Sequence, residues 1–161
     1  MILRKNFLFI LIIIFLSLNN YILAENSISQ AKAFMQQLEI EINTYDRMLP
    51  ERYSDNAIII RYLEHPNGNL EKIILPTKNF KNYLKKIGFM AKITGYKNYY
   101  KDLNFKEEGK NMRIIGKRIT HNGYSAPVSI LLEKNSSGQY KIIEEITNTA
   151  SKFLINQVLK N

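Results

Sequence analysis

The chain of 161 residues has no cysteine, no tryptophan and two histidines, with seven glycines and four prolines. Without cysteine there is no disulfide framework, zinc–thiolate site, attached haem, iron–sulfur cluster or thiol nucleophile. Bacterial lipoprotein modification is excluded by the same absence. A phosphate-binding glycine loop, a Gly-x-Ser-x-Gly elbow and a zincin signature are also missing. His65 and His121 each sit beside turn residues, and neither has a second ligand three or four positions along a helix. No catalytic set, metal or cofactor is therefore expected. A long apolar run is lacking too, since Phe7–Leu18 reaches only 12 residues even with Ser17 included. Spanning a bilayer takes roughly 20. What is present suits one folded domain, because 45% of the residues are hydrophobic and disorder needs far fewer.

Residues 1–24 read as a secretory signal, with Arg4 and Lys5 before the apolar run and small Ala24 at the exit. Cleavage after Ala24 is expected, giving a mature chain that starts at Glu25 in the periplasm or outside the cell. Retention as a signal anchor is the alternative, since Tyr21–Ala24 prolongs the apolar stretch. The charge of residues 25–161 is unevenly spread. Residues 25–71 carry 4 basic and 8 acidic side chains, whereas 72–118 carry 13 basic and 3 acidic. That asymmetry predicts a basic surface, with Lys81, Lys85 and Lys86 at its centre, suited to anionic lipid, phosphate or an acidic partner. No nucleic-acid motif accompanies it, and none is expected of an exported protein.

The periodicity predicts a helix over 29–49, with Ala31, Met35, Leu38, Ile42, Tyr45 and Leu49 on one stripe and Pro50 ending it. The β-branched run Ala57–Leu63 predicts a strand, returning through His65–Asn69 to a second at Leu70–Leu75. Thr77 is a candidate cap for a helix over 78–92, whose apolar face is Phe80, Tyr83, Leu84, Ile87, Met90 and Ala91. Gly88 should weaken its second half. Four alternating segments follow, Tyr96–Lys106, Asn111–Thr120, Ala126–Glu133 and Tyr140–Thr147, and Asn122-Gly123 predicts a type I′ hairpin. Residues 149–161 suit a terminal helix with Phe153, Leu154, Val158 and Leu159 apolar.

Tyr53-Ser54-Asp55-Asn56-Ala57 leading into the isoleucine run, and Gly138-Gln139-Tyr140-Lys141-Ile142, resemble the first-strand entry and last-strand start of the NTF2-like superfamily. The likeness covers residues 29–148 and extends to its SnoaL-like and periplasmic members. It implies an α+β fold in which a curved antiparallel sheet wraps around N-terminal helices, as one domain over 25–161 with a short C-terminal helix or tail. In that superfamily the fold hosts isomerases, dehydratases, lipid carriers and assembly domains, so function must be read from the site.

On the last strand Tyr140, Ile142, Glu144 and Ile146 share a face at period two, which makes Glu144 a carboxylate among apolar groups. Arg118, continuing the Met112, Ile114, Gly116 face, is its candidate partner, with Tyr62 and Tyr99 placed nearby. These four would orient a ligand in an otherwise apolar pocket. A bulge after Ile142-Ile143 would instead turn Glu144 to solvent. The expectation is an exported, non-enzymatic binding protein for a small apolar or amphipathic ligand. An interaction module of an envelope or secretion assembly and an isomerase or dehydratase are the alternatives, with a second copy of the chain as a further candidate partner.

Overall fold

The structure is a computed structural model that describes residues 26–160; the expected signal sequence, its cleavage site and its alternative as an anchor lie outside them. Residues 26–44 form helix α1, and a 3-10 turn follows at Leu49–Arg52. Then come β1 (Tyr53–Glu64), β2 (Leu70–Leu75), helix α2 (Thr77–Thr94), β3 (Asn98–Glu108), β4 (Asn111–Thr120), β5 (Ser125–Lys134), β6 (Tyr140–Thr149) and helix α3 (Lys152–Leu159). The strands make one curved, open sheet in the order β2-β1-β6-β5-β4-β3. Every neighbouring pair is antiparallel except β1 with β6. This is the expected α+β architecture.

Alternation along the strands puts one set of side chains on the inner face, and the helices cover it. Ala31, Phe34, Met35 and Leu38 of α1 pack with Ile59, Met112, Ile114, Ile130, Leu132 and Ile142 from four strands. Burying each large side chain contributes roughly 1.5–3 kcal/mol. Polar ties set the position of α1. Glu41, 3% exposed, is gripped by the Arg52 guanidinium, whose Nε lies 2.8 Å from Oε2. That pairing holds the Glu41 carboxyl below the usual carboxylate range. Asn43 meets the edge of β3 as a strand would, donating to the Asn98 carbonyl at 2.8 Å and accepting its amide at 2.8 Å. The Glu39 carboxylate accepts the Tyr100 amide next along that edge, at 2.8 Å. An otherwise open strand edge is thereby satisfied.

The helices depart from the expected limits in ways the backbone explains. Helix α1 stops at 44 rather than 49 because Tyr45 turns left-handed (φ 59°), with its hydroxyl donating to the Tyr96 carbonyl at 2.6 Å. Thr77 does not cap α2; its hydroxyl bonds the Ala57 carbonyl and ties the helix start to β1. Helix α2 runs through Gly88 to Thr94 and ends at left-handed Gly95. Met90, expected on its apolar face, is 52% exposed, and in α3 Phe153 and Leu159 point out while Ile155 and Val158 are buried. The hairpin at Asn122-Gly123 is not type I′, since only the glycine has positive φ. Thr120 and Tyr124 close a three-residue loop, as do His65 with Asn69 and Asn135 with Gln139. In each loop a glycine supplies the left-handed residue and an asparagine side chain accepts a nearby amide.

Two glycines with opposite roles test this packing. A Cβ at Gly116 would lie 2.6 Å from Leu103 Cδ2 and 2.8 Å from the Lys101 carbonyl, whereas one at Gly88 meets nothing closer than 3.8 Å. In urea unfolding, Gly116→Ala should destabilise by about 1–3 kcal/mol. Gly88→Ala, on unstrained helical backbone, should stabilise by up to about 1 kcal/mol.

Candidate functional site

The pairing register arranges the inner face in rows, and their polarity changes from one end to the other. Tyr53, Ile142, Leu132 and Met112 form one row. Ile59, Glu145, Ile130, Ile114 and Phe105 form the next, then Arg61, Thr147, Val128 and Gly116. Toward the C-terminal ends of β1 and β6 come Leu63 with Thr149, and Ala126 with Arg118 and Tyr100. Apart from Tyr53 and Glu145, apolar groups fill the first two rows, and hydroxyls and guanidinium groups gather in the later ones.

Glu145 is 3% exposed between Ile59 and Ile130, both 0% exposed, so its carboxyl has lost its water. Two partners replace it. Arg61, 2% exposed, places Nη2 2.6 Å from Oε1, and the Tyr53 hydroxyl donates to Oε2. Arg61 also donates to the Ile60 carbonyl at 3.1 Å and lies over the Phe80 ring, 5.2 Å from its centroid. Phe80 meets Tyr53 edge-on at 5.3 Å, which closes the cluster under α2. Burial, reinforced by the negative charge of Glu145, pushes the Tyr53 phenol well up. Tyr100 is raised by the same two causes in the same order. The Tyr83 phenol on α2 is pushed up to about 12, chiefly by burial.

Arg118 is compensated far less. It is 9% exposed, and its Nη2 donates to the Asn148 carbonyl at 3.0 Å by reaching over the small Ala126. Among the described residues no carboxylate lies within ion-pair distance of it. Its Nε is buried without a partner, and so is the Nε of Arg61. Buried polar atoms are rarely left unpaired, and an unpaired charge is costly. The inner face thus carries two unsaturated donors and one cation without a counter-ion.

Of the four expected site residues, only Arg118 faces inward. Glu144 lies on the outer face, where Oε1 accepts from Arg113, whose guanidinium also reaches Ser129 at 3.2 Å. The cause is a bulge: Leu132 pairs with Ile142 but Leu131 with Glu144, so Ile143 is the extra residue and the parity of β6 reverses after it. Glu145 takes the inner position. Tyr62 also faces out, in register with Lys72 and Asn148, and Arg61 beside it faces in. Tyr99 is 40% exposed, and Tyr100, in register with Arg118, faces in. Of the expected basic surface, Lys81 is largely covered, held by Asp55 at 2.6 Å and by Glu51 at 3.7 Å. Lys85 and Lys86 are exposed. Both histidines sit in hairpin loops, and no cluster of three potential metal ligands occurs among the described residues.

The two neighbouring acids should differ sharply. Glu145→Gln leaves Arg61 buried and unpaired, and should cost about 3 kcal/mol or more in urea unfolding. Glu144→Gln removes a surface pair and should cost under about 1 kcal/mol. The raised phenols set an alkaline limit. Protonated Tyr83 stabilises the folded chain fully below the unfolded value of 10.0, and that contribution is lost as pH rises through about 12. Stability followed by absorbance and circular dichroism should fall across that window, less so in Tyr83→Phe.

No family model and no curated protein matches the chain. Solved structures do. An NTF2-like protein with a cystatin-like fold from Novosphingobium aromaticivorans superposes with TM-score 0.61 at 7% identity, over 88% of this chain and 94% of that one. An NTF2-like protein of unknown function from Pseudomonas putida gives 0.59 at 10% identity, over 78% and 87%. One from Shewanella baltica gives 0.53 at 9% identity, over 76% and 92%. At such identities the likeness is one of architecture, and it agrees with the strand order and helix cover described above. The chain has the NTF2-like fold.

Proposed function

We propose that the protein is an exported binding protein that holds a small amphipathic molecule at the inner face, with an acidic end of the ligand against Arg118. The observation that supports this most is the pair of buried arginines with unpartnered Nε atoms, one of them with no carboxylate within ion-pair distance among the described residues. A ligand carboxylate would supply the missing counter-charge, and Tyr100 stands in register with Arg118 on the same row. The apolar remainder would meet the aliphatic side chains around it. Binding is favoured over catalysis because both oxygens of Glu145 are engaged, by Arg61 and by Tyr53. A general base needs an oxygen free for the substrate's proton. Export rests on the sequence of residues 1–24.

Native mass spectrometry of the protein recovered from its own cells tests both parts. The expected species starts at Glu25 and carries a small organic mass that denaturation releases. Dodecanoate, used as a probe, should bind, and Arg118→Met should weaken it at least tenfold. The same substitution should leave stability within about 1 kcal/mol of the parent or raise it, because it removes an uncompensated buried cation. A chain without bound mass that ignores dodecanoate would overturn the reading.

A further inference from the structure

Helix α2 carries five lysines (78, 81, 85, 86 and 92) and no acidic residue. Its inward side is consumed by the fold, with Phe80 and Ala91 buried and Tyr83, Leu84 and Ile87 partly so. The other side should be uniformly polar on a helix packed in this way. Instead Phe89 is 72% exposed, Ile93 64% and Met90 52%. Phe89 and Ile93 are the two most exposed large apolar side chains among the described residues, and Met90 joins them within five consecutive positions.

The angular order of these residues matters. At 100° per residue, Lys92, Lys85, Phe89, Ile93, Lys86 and Met90 follow one another across an arc of about 160°. Phe89 and Ile93, one turn apart, sit in the middle, and lysines flank them on both sides. Lys81 is drawn aside to Asp55 and Glu51, whereas Lys85 is 56% exposed and reaches Glu51 only at 3.9 Å. Lys78 and Lys92 are exposed as well. The surface is therefore a convex ridge with an aromatic and an aliphatic wedge between cationic edges. It is not a groove that would receive a peptide.

From this arrangement we infer that the outer face of α2 docks on an anionic lipid surface. Phe89 and Ile93 enter the boundary between headgroups and acyl chains, and the flanking lysines lay their stems along it with their ammonium groups at the phosphates. Charge complementarity chooses the lipid: a helix face with four exposed lysines and no acid attracts anionic headgroups by about fivefold in affinity per lysine near the surface. A convex ridge suits a deformable interface better than a preformed protein pocket. This contact is independent of whatever the inner face holds.

Because the chain has no tryptophan, Phe89→Trp installs a single emitter at the centre of the ridge. The full protein with this change is mixed with vesicles of phosphatidylcholine alone, or with one part phosphatidylglycerol to two parts phosphatidylcholine. The expected result is a blue shift with the mixed vesicles only, quenched by brominated acyl chains. It should be abolished near 1 M salt, where the Debye length is about 3 Å. Adding Lys85→Glu and Lys92→Glu should lower vesicle affinity at least tenfold, and Ile93→Ala should lower it severalfold, with the circular dichroism of the parent kept in both. Equal binding to both vesicles, or vesicle binding with unchanged emission at position 89, would overturn the inference. So would a blue shift with polyglutamate and none with vesicles, which would make an acidic polypeptide the partner.

Discussion

The buried carboxyl group of Glu145 can exist in a dry interior only because Arg61 and Tyr53 take both of its oxygens, and much of the molecule is arranged around that requirement. Arg61 and Tyr53 lie at the two ends of β1, so the contact fixes β1 against β6 on either side of its irregular stretch. This is the sheet's one parallel pairing, which lacks a tight hairpin to set its register. Phe80 then lies over Arg61 and against Tyr53, so the position of α2 depends on the same three side chains. A sheet face, a register and a helix position follow from one satisfied acid.

Arg118 has the opposite character. It is buried nearly as deeply, yet its guanidinium donates only to one backbone carbonyl among the described residues. A fold selected for stability alone would place an apolar side chain there, since a buried ion pair or ion seldom outcompetes a well-packed hydrophobe. The contrast between the two arginines separates a group paired within the fold from the one to which we assign the ligand. On the outside of α2 the same logic applies: Phe89 and Ile93 contribute little to the core from where they stand.

The α+β class, the order of elements and nearly all strands could be read from periodicity and turn residues, because hydrophobic alternation reports directly which face is buried. The inward-facing positions were legible only one residue out of step. Tyr62, Tyr99 and Glu144 each adjoin the residue that faces inward, namely Arg61, Tyr100 and Glu145. Arg118 faces inward as expected because β4 alternates without interruption from Met112 to Thr120. In β6 the doublets Ile142-Ile143 and Glu144-Glu145 fit either parity, and only the bulge decides between them. In β1 three consecutive isoleucines hide the phase in the same way, Ile60 being buried on the outer face while Ile59 fills the core. In β3 the left-handed Asp102 breaks the alternation between Tyr100 and Leu103. Sheet curvature requires such irregularities, and a pattern of period two cannot register them.

A double-mutant cycle on Arg61 and Glu145 probes the central tie most directly. Arg61→Met, Glu145→Leu and the pair together would be compared by urea unfolding at neutral pH. The arrangement described predicts that each single change costs about 3–5 kcal/mol, and that the double variant recovers at least about 2 kcal/mol of their sum, because neither charge is then left alone. Strictly additive losses would contradict it, showing that the two side chains do not depend on each other inside the sheet.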